Sequence, residues 1–185
     1  FDVSENEKLT SMTFNNLETV GGYFYVFDNK ALRSMIFAAL QTVRGYFDVS
    51  ENEKLTSMSF AALQSVGAVG AVGGEFRVER NETLTSMTFN NLETVGGYFY
   101  VGDNKALSSM SFAALQSVGK HFWVENNAAL KKDTATINFS ALTDDGITSW
   151  KKIESPGATN ADFTSIQAII NKIGNDAGTF VIKPK

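Results

Sequence analysis

Hydrophobic positions along this chain follow a fixed pattern that returns about every 23 residues. The pattern reads F-x-V-x-x-N-x-x-L-x-S-M-x-F-x-x-L-x-x-V-G-G, and residues 1–22 and 76–97 follow it closely. Repetition at such a period is typical of solenoids, whose stacked turns together bury an apolar side that one turn cannot bury alone. The first position of the pattern recurs in steps of 23, with one step of 29, at Phe1, Phe24, Phe47, Phe76, Phe99 and Phe122.

Each repeat contains the two-residue alternation of half-buried strands. The segment F-x-V predicts a first strand, and S-M-x-F predicts a second strand with Met12 and Phe14 inward. Leu17 and Val20 lie three apart, which indicates a tighter turn or a short third strand, and the following Gly-Gly supplies a turn. The predicted fold is therefore mainly β, a parallel β-solenoid of about six turns.

An asparagine occupies the sixth position of every repeat, beside inward apolar residues. We expect its side chain to point inward and to bond the backbone of the turns above and below, as a ladder, because buried backbone groups at a bend need partners. The alternative is an ordinary exposed turn asparagine. The six residues are Asn6, Asn29, Asn52, Asn81, Asn104 and Asn127.

The run GGYFYVGDNKALSSMSFAALQSVG resembles the leucine-rich repeats of receptor L-domain-like proteins, including fungal cell-wall members, and more weakly BspA-type bacterial repeats. The resemblance covers residues 1–142. It implies a right-handed solenoid with several parallel sheets, extracellular or wall-associated, that serves ligand binding, adhesion or wall architecture. Receptor L domains generally carry cysteines, whereas this chain has none.

The pattern divides the chain into a repeat solenoid, residues 1–142, and a C-terminal capping segment, residues 143–185. An AVGAVG insert at 68–73 lengthens one turn, as a partner-contacting loop or as a duplication without a role. In the capping segment, helical spacing runs from Phe163 to Ile173, and Thr179–Ile182 suits a closing strand. The helix would close the open core, or alternatively dock on a partner.

Outward positions beside the first strand vary from turn to turn and are rich in aromatic residues. Such rows on a rigid sheet stack on sugars or anchor a protein partner, although aromatic residues also favour strands without any ligand. We predict a ligand-binding face formed by Tyr23, Tyr25, Tyr46, Asp48, Arg77, Tyr98, Tyr100, His121 and Trp123.

Composition narrows the classes of function. The net charge is −4 with no basic block, which argues against a nucleic-acid partner. No apolar run reaches the roughly 18 residues of a membrane span. The chain has no cysteine ligands, no nucleophile motif such as G-x-S-x-G, and no phosphate-binding glycine motif. We therefore expect a protein that is not an enzyme and that uses no cofactor or metal.

Serine and threonine form columns on the second strand, which makes ice binding a distant alternative, although Ile36 interrupts one column. Asn81 and Asn138 stand in glycosylation sequons; Asn81 is expected to be buried and unmodified, and Asn138 is the better candidate acceptor.

The sequence favours an extracellular or cell-surface module that binds a protein or glycan. The alternative is a structural component of a wall, matrix or filament that self-associates through the solenoid ends.

Overall fold

The structure is a computed structural model that describes residues 1–67, 74–130, 137–138, 141, 150–154 and 180–184. These residues form 19 strands, β1 to β19, and the described part of the chain contains no helix. The predicted parallel β-solenoid with a repeat of about 23 residues is confirmed. The predicted insert at 68–73 and the predicted helix of the cap lie outside the described residues.

The first strands of successive turns pair in parallel and build one side of the solenoid. They are β1 (Asp2–Ser4), β4 (Phe24–Phe27), β7 (Phe47–Ser50), β10 (Phe76–Glu79), β13 (Phe99–Gly102) and β16 (Phe122–Glu125). Two antiparallel strands, β19 (Phe180–Pro184) and β18 (Trp150–Glu154), extend this sheet beyond β16. A strand was predicted at Thr179–Ile182, and β19 overlaps it.

The second and third strands of each turn form the other sides. The second strands are β2 (Ser11–Thr13), β5 (Ser34–Ile36), β8 (Ser57–Ser59), β11 (Ser86–Thr88), β14 (Ser109–Ser111) and β17 (Ile137–Asn138). The third strands are β3 (Thr19–Val20), β6 (Thr42–Val43), β9 (Ser65–Val66), β12 (Thr94–Val95) and β15 (Ser117–Val118). Of the two readings of Leu17 and Val20, the structure has the short third strand.

Two interlocked columns of phenylalanine fill the core. Rings of the first column stack at separations such as 5.0 Å between Phe24 and Phe47, with nearly parallel planes. Rings of the second column stack likewise, as Phe37 and Phe60 do at 5.1 Å. The columns meet edge to face, at 4.8 Å between Phe47 and Phe60, so both favoured aromatic geometries repeat along the axis. Phe14, predicted to point inward, joins the second column by stacking on Phe37 at 5.2 Å, although it is 40% exposed in the first turn.

The asparagines of the sixth position lie in one column beside these rings. The side-chain Nδ2 of Asn29 donates to Oδ1 of Asn52 at 3.1 Å and to the Val3 carbonyl of the preceding turn at 2.9 Å. The backbone N–H of Asn29 also donates to Oδ1 of Asn52, at 3.2 Å. The same bonds recur turn after turn, and all of these residues are buried except Asn6, which is exposed in the first turn.

The residue before each of these asparagines adopts left-handed backbone geometry, with φ between 51° and 57°. This conformation is unfavourable for side chains other than glycine, asparagine and aspartate. An interturn hydrogen bond accompanies it, for example from the Glu51 N–H to the Glu79 carbonyl at 3.0 Å. The residues are Glu5, Asp28, Glu51, Arg80, Asp103 and Asn126.

The second-strand sheet is interrupted between the third and fourth turns. Strands β2, β5 and β8 form one three-stranded sheet, and β11, β14 and β17 form another. Phe60 and Phe89 lie 5.6 Å apart across this step, and Met58 is only partly buried. The first and third strands pair through the same step, so the interruption affects one side of the solenoid and leaves the other two in register.

Asn52→Ala is expected to lower the free energy of unfolding by about 4 kcal/mol, because it removes the side-chain acceptor of the buried Asn29 backbone N–H and the side-chain donor to the buried Val26 carbonyl. The matched control is Asn6→Ala, in the exposed first turn, which should cost less than about 1 kcal/mol. Urea unfolding followed by circular dichroism measures both. Equal losses would contradict a stabilising role for the buried column.

Gly119→Ala is expected to destabilise the fold by about 1–3 kcal/mol, because its Cβ would lie 2.2 Å from the Gly96 carbonyl oxygen. Gly22→Ala is the control, since its Cβ would meet nothing within 4 Å. Thermal unfolding of the two variants tests whether close backbone stacking explains the glycine of this turn. A Gly119→Ala protein as stable as Gly22→Ala would argue against it.

Candidate binding face

The variable outward positions of the first strands lie in register across the sheet. Tyr25 pairs with Asp48, Asp48 with Arg77, and Arg77 with Tyr100. Trp123 continues the row beside Tyr100. Because inward positions are filled by the phenylalanine and valine columns, this row can change from turn to turn without disturbing the core.

The residues just before each first strand form a second row. Tyr23 and Tyr46 lie with ring centroids 5.0 Å apart, and Tyr98 and His121 lie 5.3 Å apart. Glu75 occupies the turn between Tyr46 and Tyr98, so it separates two pairs of rings. The row is therefore two aromatic pairs with a carboxylate between them.

A third row was missing from the predicted face. It is formed by the last outward residue of each first strand, two positions after the row that contains Tyr25. Tyr25 stacks on Phe27, Arg77 bonds Glu79, and the Trp123 indole N–H donates to Glu125. The same two-residue alternation that predicted the first row would have found these residues: Ser4, Phe27, Ser50, Glu79, Gly102 and Glu125.

A groove of about 610 Å³ opens on this face over the first four turns. Five of the nine residues of the predicted ligand-binding face line it together, on strands β4, β7 and β10 and just before them. These are Tyr23, Tyr25, Tyr46, Asp48 and Arg77. Its other lining residues are Phe1, Asp2, Phe24, Phe47 and Glu75.

The other four residues of the predicted face lie on later turns and do not line the groove. They contact one another or nearby charged side chains. Lys120 Nζ lies 5.0 Å from the Tyr98 ring, and the Arg77 guanidinium lies 5.1 Å from the Tyr100 ring. The Tyr100 hydroxyl donates to Glu125 at 2.8 Å. Burial, and then this hydrogen bond, raise the pKa of Tyr100 well above its ordinary value.

The orientation of the tyrosines differs from a flat stacking platform. Rings that lie side by side in one plane cannot bring their centroids as close as 5.0 Å, so Tyr23 and Tyr46 face each other, with their planes tilted by 32°. Tyr25 and Phe27 stack with nearly parallel planes at 5.5 Å. One face of each of these rings is thus taken by a neighbouring ring.

Arg77 is the centre of an ion-pair network at the groove wall. Its Nε donates to Glu79 Oε2 at 2.7 Å, and its Nη1 lies 3.8 Å from Glu75 Oε1. Arg80 reaches the other oxygen of Glu79 at 3.3 Å and Glu51 at 2.9 Å. Burial alone would lower the pKa of Arg77, but the hydrogen bond and charge of Glu79, together with the charges of Asp48 and Glu75, outweigh it, so that pKa is raised.

Two carboxylates of the groove are held in partly desolvated surroundings. Burial raises the pKa of Asp48, although a hydrogen bond from Ser50 and the charge of Arg77 oppose the shift. Burial likewise raises the pKa of Glu75, against the effect of Arg77. Burial and then the charge of Asp48 raise the pKa of Tyr25. Burial in the groove therefore disfavours the ionised form of both carboxylates.

Other predicted features fall elsewhere. The hydroxyl columns of the second strands lie on the two sheets that the interruption separates, so they do not form one continuous array. Asn81 is fully buried, and the backbone of Asn138 pairs in register with Ser111. Among the described residues, no cluster of three or more histidine, aspartate or glutamate side chains is placed to hold a metal ion. No helix in that part of the chain is long and apolar enough to cross a membrane.

Comparisons with known proteins do not assign this chain to a family. No protein-family model, curated protein or solved structure matches the chain. The resemblance to receptor L-domain-like repeats therefore stays a prediction that rests on the residues that suggested it.

Replacing Asp48 by asparagine is expected to change the pH dependence of stability. A raised carboxyl pKa in the folded state means that the ionised form destabilises the fold at neutral pH, and that this penalty disappears as the pH falls through the folded pKa. The stability of Asp48→Asn relative to the parent should thus be greatest near pH 7. It should decline as the pH falls toward the ordinary aspartate range.

Urea midpoints measured between pH 7 and pH 4 give this difference directly. Asp2→Asn serves as the control, since Asp2 belongs to the same row but is exposed in the first turn. A constant difference between Asp48→Asn and the parent at all pH values would show that Asp48 is not desolvated.

Proposed function

We propose that this chain is a non-catalytic binding module that holds a protein or glycan ligand in the groove of its first-strand face, outside the cell or at the cell surface. The observation that carries the proposal is the groove itself. It joins tyrosines, carboxylates and a guanidinium from four consecutive turns in one concave site. Concave surfaces with aromatic walls and a few placed polar groups are the usual form of ligand sites.

The scaffold beneath the groove supports the proposal. Phe24, Phe47 and Phe76, on the inward side of the same strands, are fully buried and stacked. Side chains carried on such strands keep their positions before a ligand arrives, so little ordering entropy is lost on binding. Within one repeat, the variable outward residues are available for recognition, and the constant inward residues stabilise the fold.

The extracellular or surface location comes from the resemblance to receptor L-domain-like repeats, whose proteins work there. Self-association through the solenoid ends is the alternative role. Light scattering coupled to size-exclusion chromatography measures it independently of the groove, and a monomer over a wide concentration range would argue against assembly.

Tyr25→Ala combined with Tyr46→Ala is expected to lower ligand affinity by about thirtyfold or more, because buried aromatic anchors typically contribute about 2 kcal/mol or more to binding. Immobilised parent protein is first screened against defined cell-wall polysaccharides and secreted proteins, and calorimetry with the captured ligand then compares the variants.

The control is Ile36→Ala, which truncates a side chain that is 42% exposed on the second-strand sheet. Circular dichroism checks that each variant is folded. If the tyrosine variant binds as tightly as the parent, or Ile36→Ala weakens binding as much, the groove is not the ligand site.

A further inference from the structure

The charges that line the groove are unequal in number and are unequally compensated. Three carboxylates, from Asp2, Asp48 and Glu75, face one guanidinium, from Arg77. That guanidinium is already bound by Glu79 through Nε and Nη2, and its face lies over Tyr100. Its Nη1 also lies 3.8 Å from Glu75, so the one guanidinium of the groove is shared between Glu79 and Glu75.

The hydrogen-bond partners of the two aspartates are neutral. Asp48 accepts from the Ser50 hydroxyl and Asp2 from the Ser4 hydroxyl. Among the described residues, no lysine, arginine or histidine forms an ion pair with either carboxylate. Two carboxylates thus line the groove with hydroxyl donors but without an ion pair to a described lysine, arginine or histidine.

The aromatic walls suit a particular kind of ligand. Because Tyr23 faces Tyr46 and Tyr25 stacks on Phe27, one face of each of these rings is closed to a sugar ring. The groove also offers ring edges and hydroxyls beside carboxylates. The aliphatic stem of a lysine or arginine packs well along such walls, while its charged end reaches the carboxylates.

From this charge complementarity we infer that the groove binds lysine or arginine side chains of an extended segment in a protein partner. The inference rests on the proposed function, since it names the ligand class of the same site. A positive charge from the partner would compensate the desolvation of Asp48 and Glu75, and the same carboxylates would repel acidic segments.

The test uses N-acetylated, C-amidated tetralysine as the probe, with tetraglutamate and a neutral glucose tetrasaccharide as comparisons. Binding is measured by calorimetry and located by amide chemical shifts of Asp2, Tyr25 and Asp48. The groove variant Asp48→Asn/Glu75→Gln is compared with Glu7→Gln/Glu18→Gln, which removes the same charge from exposed positions outside the groove. Circular dichroism shows whether both are folded.

The expected result is that tetralysine shifts the groove amides, that the groove variant binds it at least about tenfold more weakly, and that the exposed-site variant changes less than about twofold. Tetraglutamate should not bind, and the tetralysine affinity should fall as salt rises.

Equal weakening in the two variants would overturn the inference, because attraction would then be a property of the whole acidic chain. Groove shifts with the tetrasaccharide but not with tetralysine would also overturn it, while the proposed function would stand with a glycan as ligand. Absence of groove shifts with every probe, together with unchanged ligand capture by the tyrosine variant, would remove both proposals.

Discussion

The register between successive turns is the constraint on which this molecule depends. Each turn bends its backbone sharply after the first strand, and the carbonyls and N–H groups of the bend are buried away from water. The column from Asn29 to Asn127 supplies the missing partners, since each side-chain amide bonds a valine carbonyl of the preceding turn and, up to Asn104, the next asparagine. Removing these partners would leave several buried polar groups unsatisfied at once. The phenylalanine columns then add burial and ring contacts that are favourable only in the same register.

This register also makes the binding face. Because inward positions repeat, outward positions on neighbouring turns are brought within one strand spacing of each other whatever their identity. Tyr25, Asp48 and Arg77 are 23 and 29 residues apart in sequence but adjacent on the sheet. The groove is therefore formed by outward residues that vary from turn to turn, carried on strands whose inward residues repeat. Its charged and aromatic side chains come from turns that share no special local sequence.

Periodicity in the sequence was sufficient to predict the parallel solenoid, the first and second strands and the rows of outward residues, because all of these follow from which positions repeat. Features that depend on contacts between variable residues were not predictable. Whether Tyr23 offers its face to a ligand or to Tyr46 is decided by the rotamers of both rings. The left-handed backbone before each column asparagine is signalled by residue type only in part, since aspartate and asparagine tolerate it at three of the six positions and glutamate or arginine occupies the others. The interruption between β8 and β11 was also hidden, since the extra residues of that step lie between β9 and β10 in sequence.

The asparagine column has a direction. Every Nδ2 that bonds along the column donates toward the following turn, and every Oδ1 accepts from the turn before it. The amide dipoles are aligned in one sense, as peptide dipoles are in a helix, and the solenoid has a distinguishable head and tail. A further turn can extend the column at its head only by donating a side-chain N–H to it. At the tail, a further turn must accept a side-chain N–H with its own side-chain oxygen. Two copies joined head to head would oppose carbonyl oxygens, so any longer array built on this column must grow with one polarity.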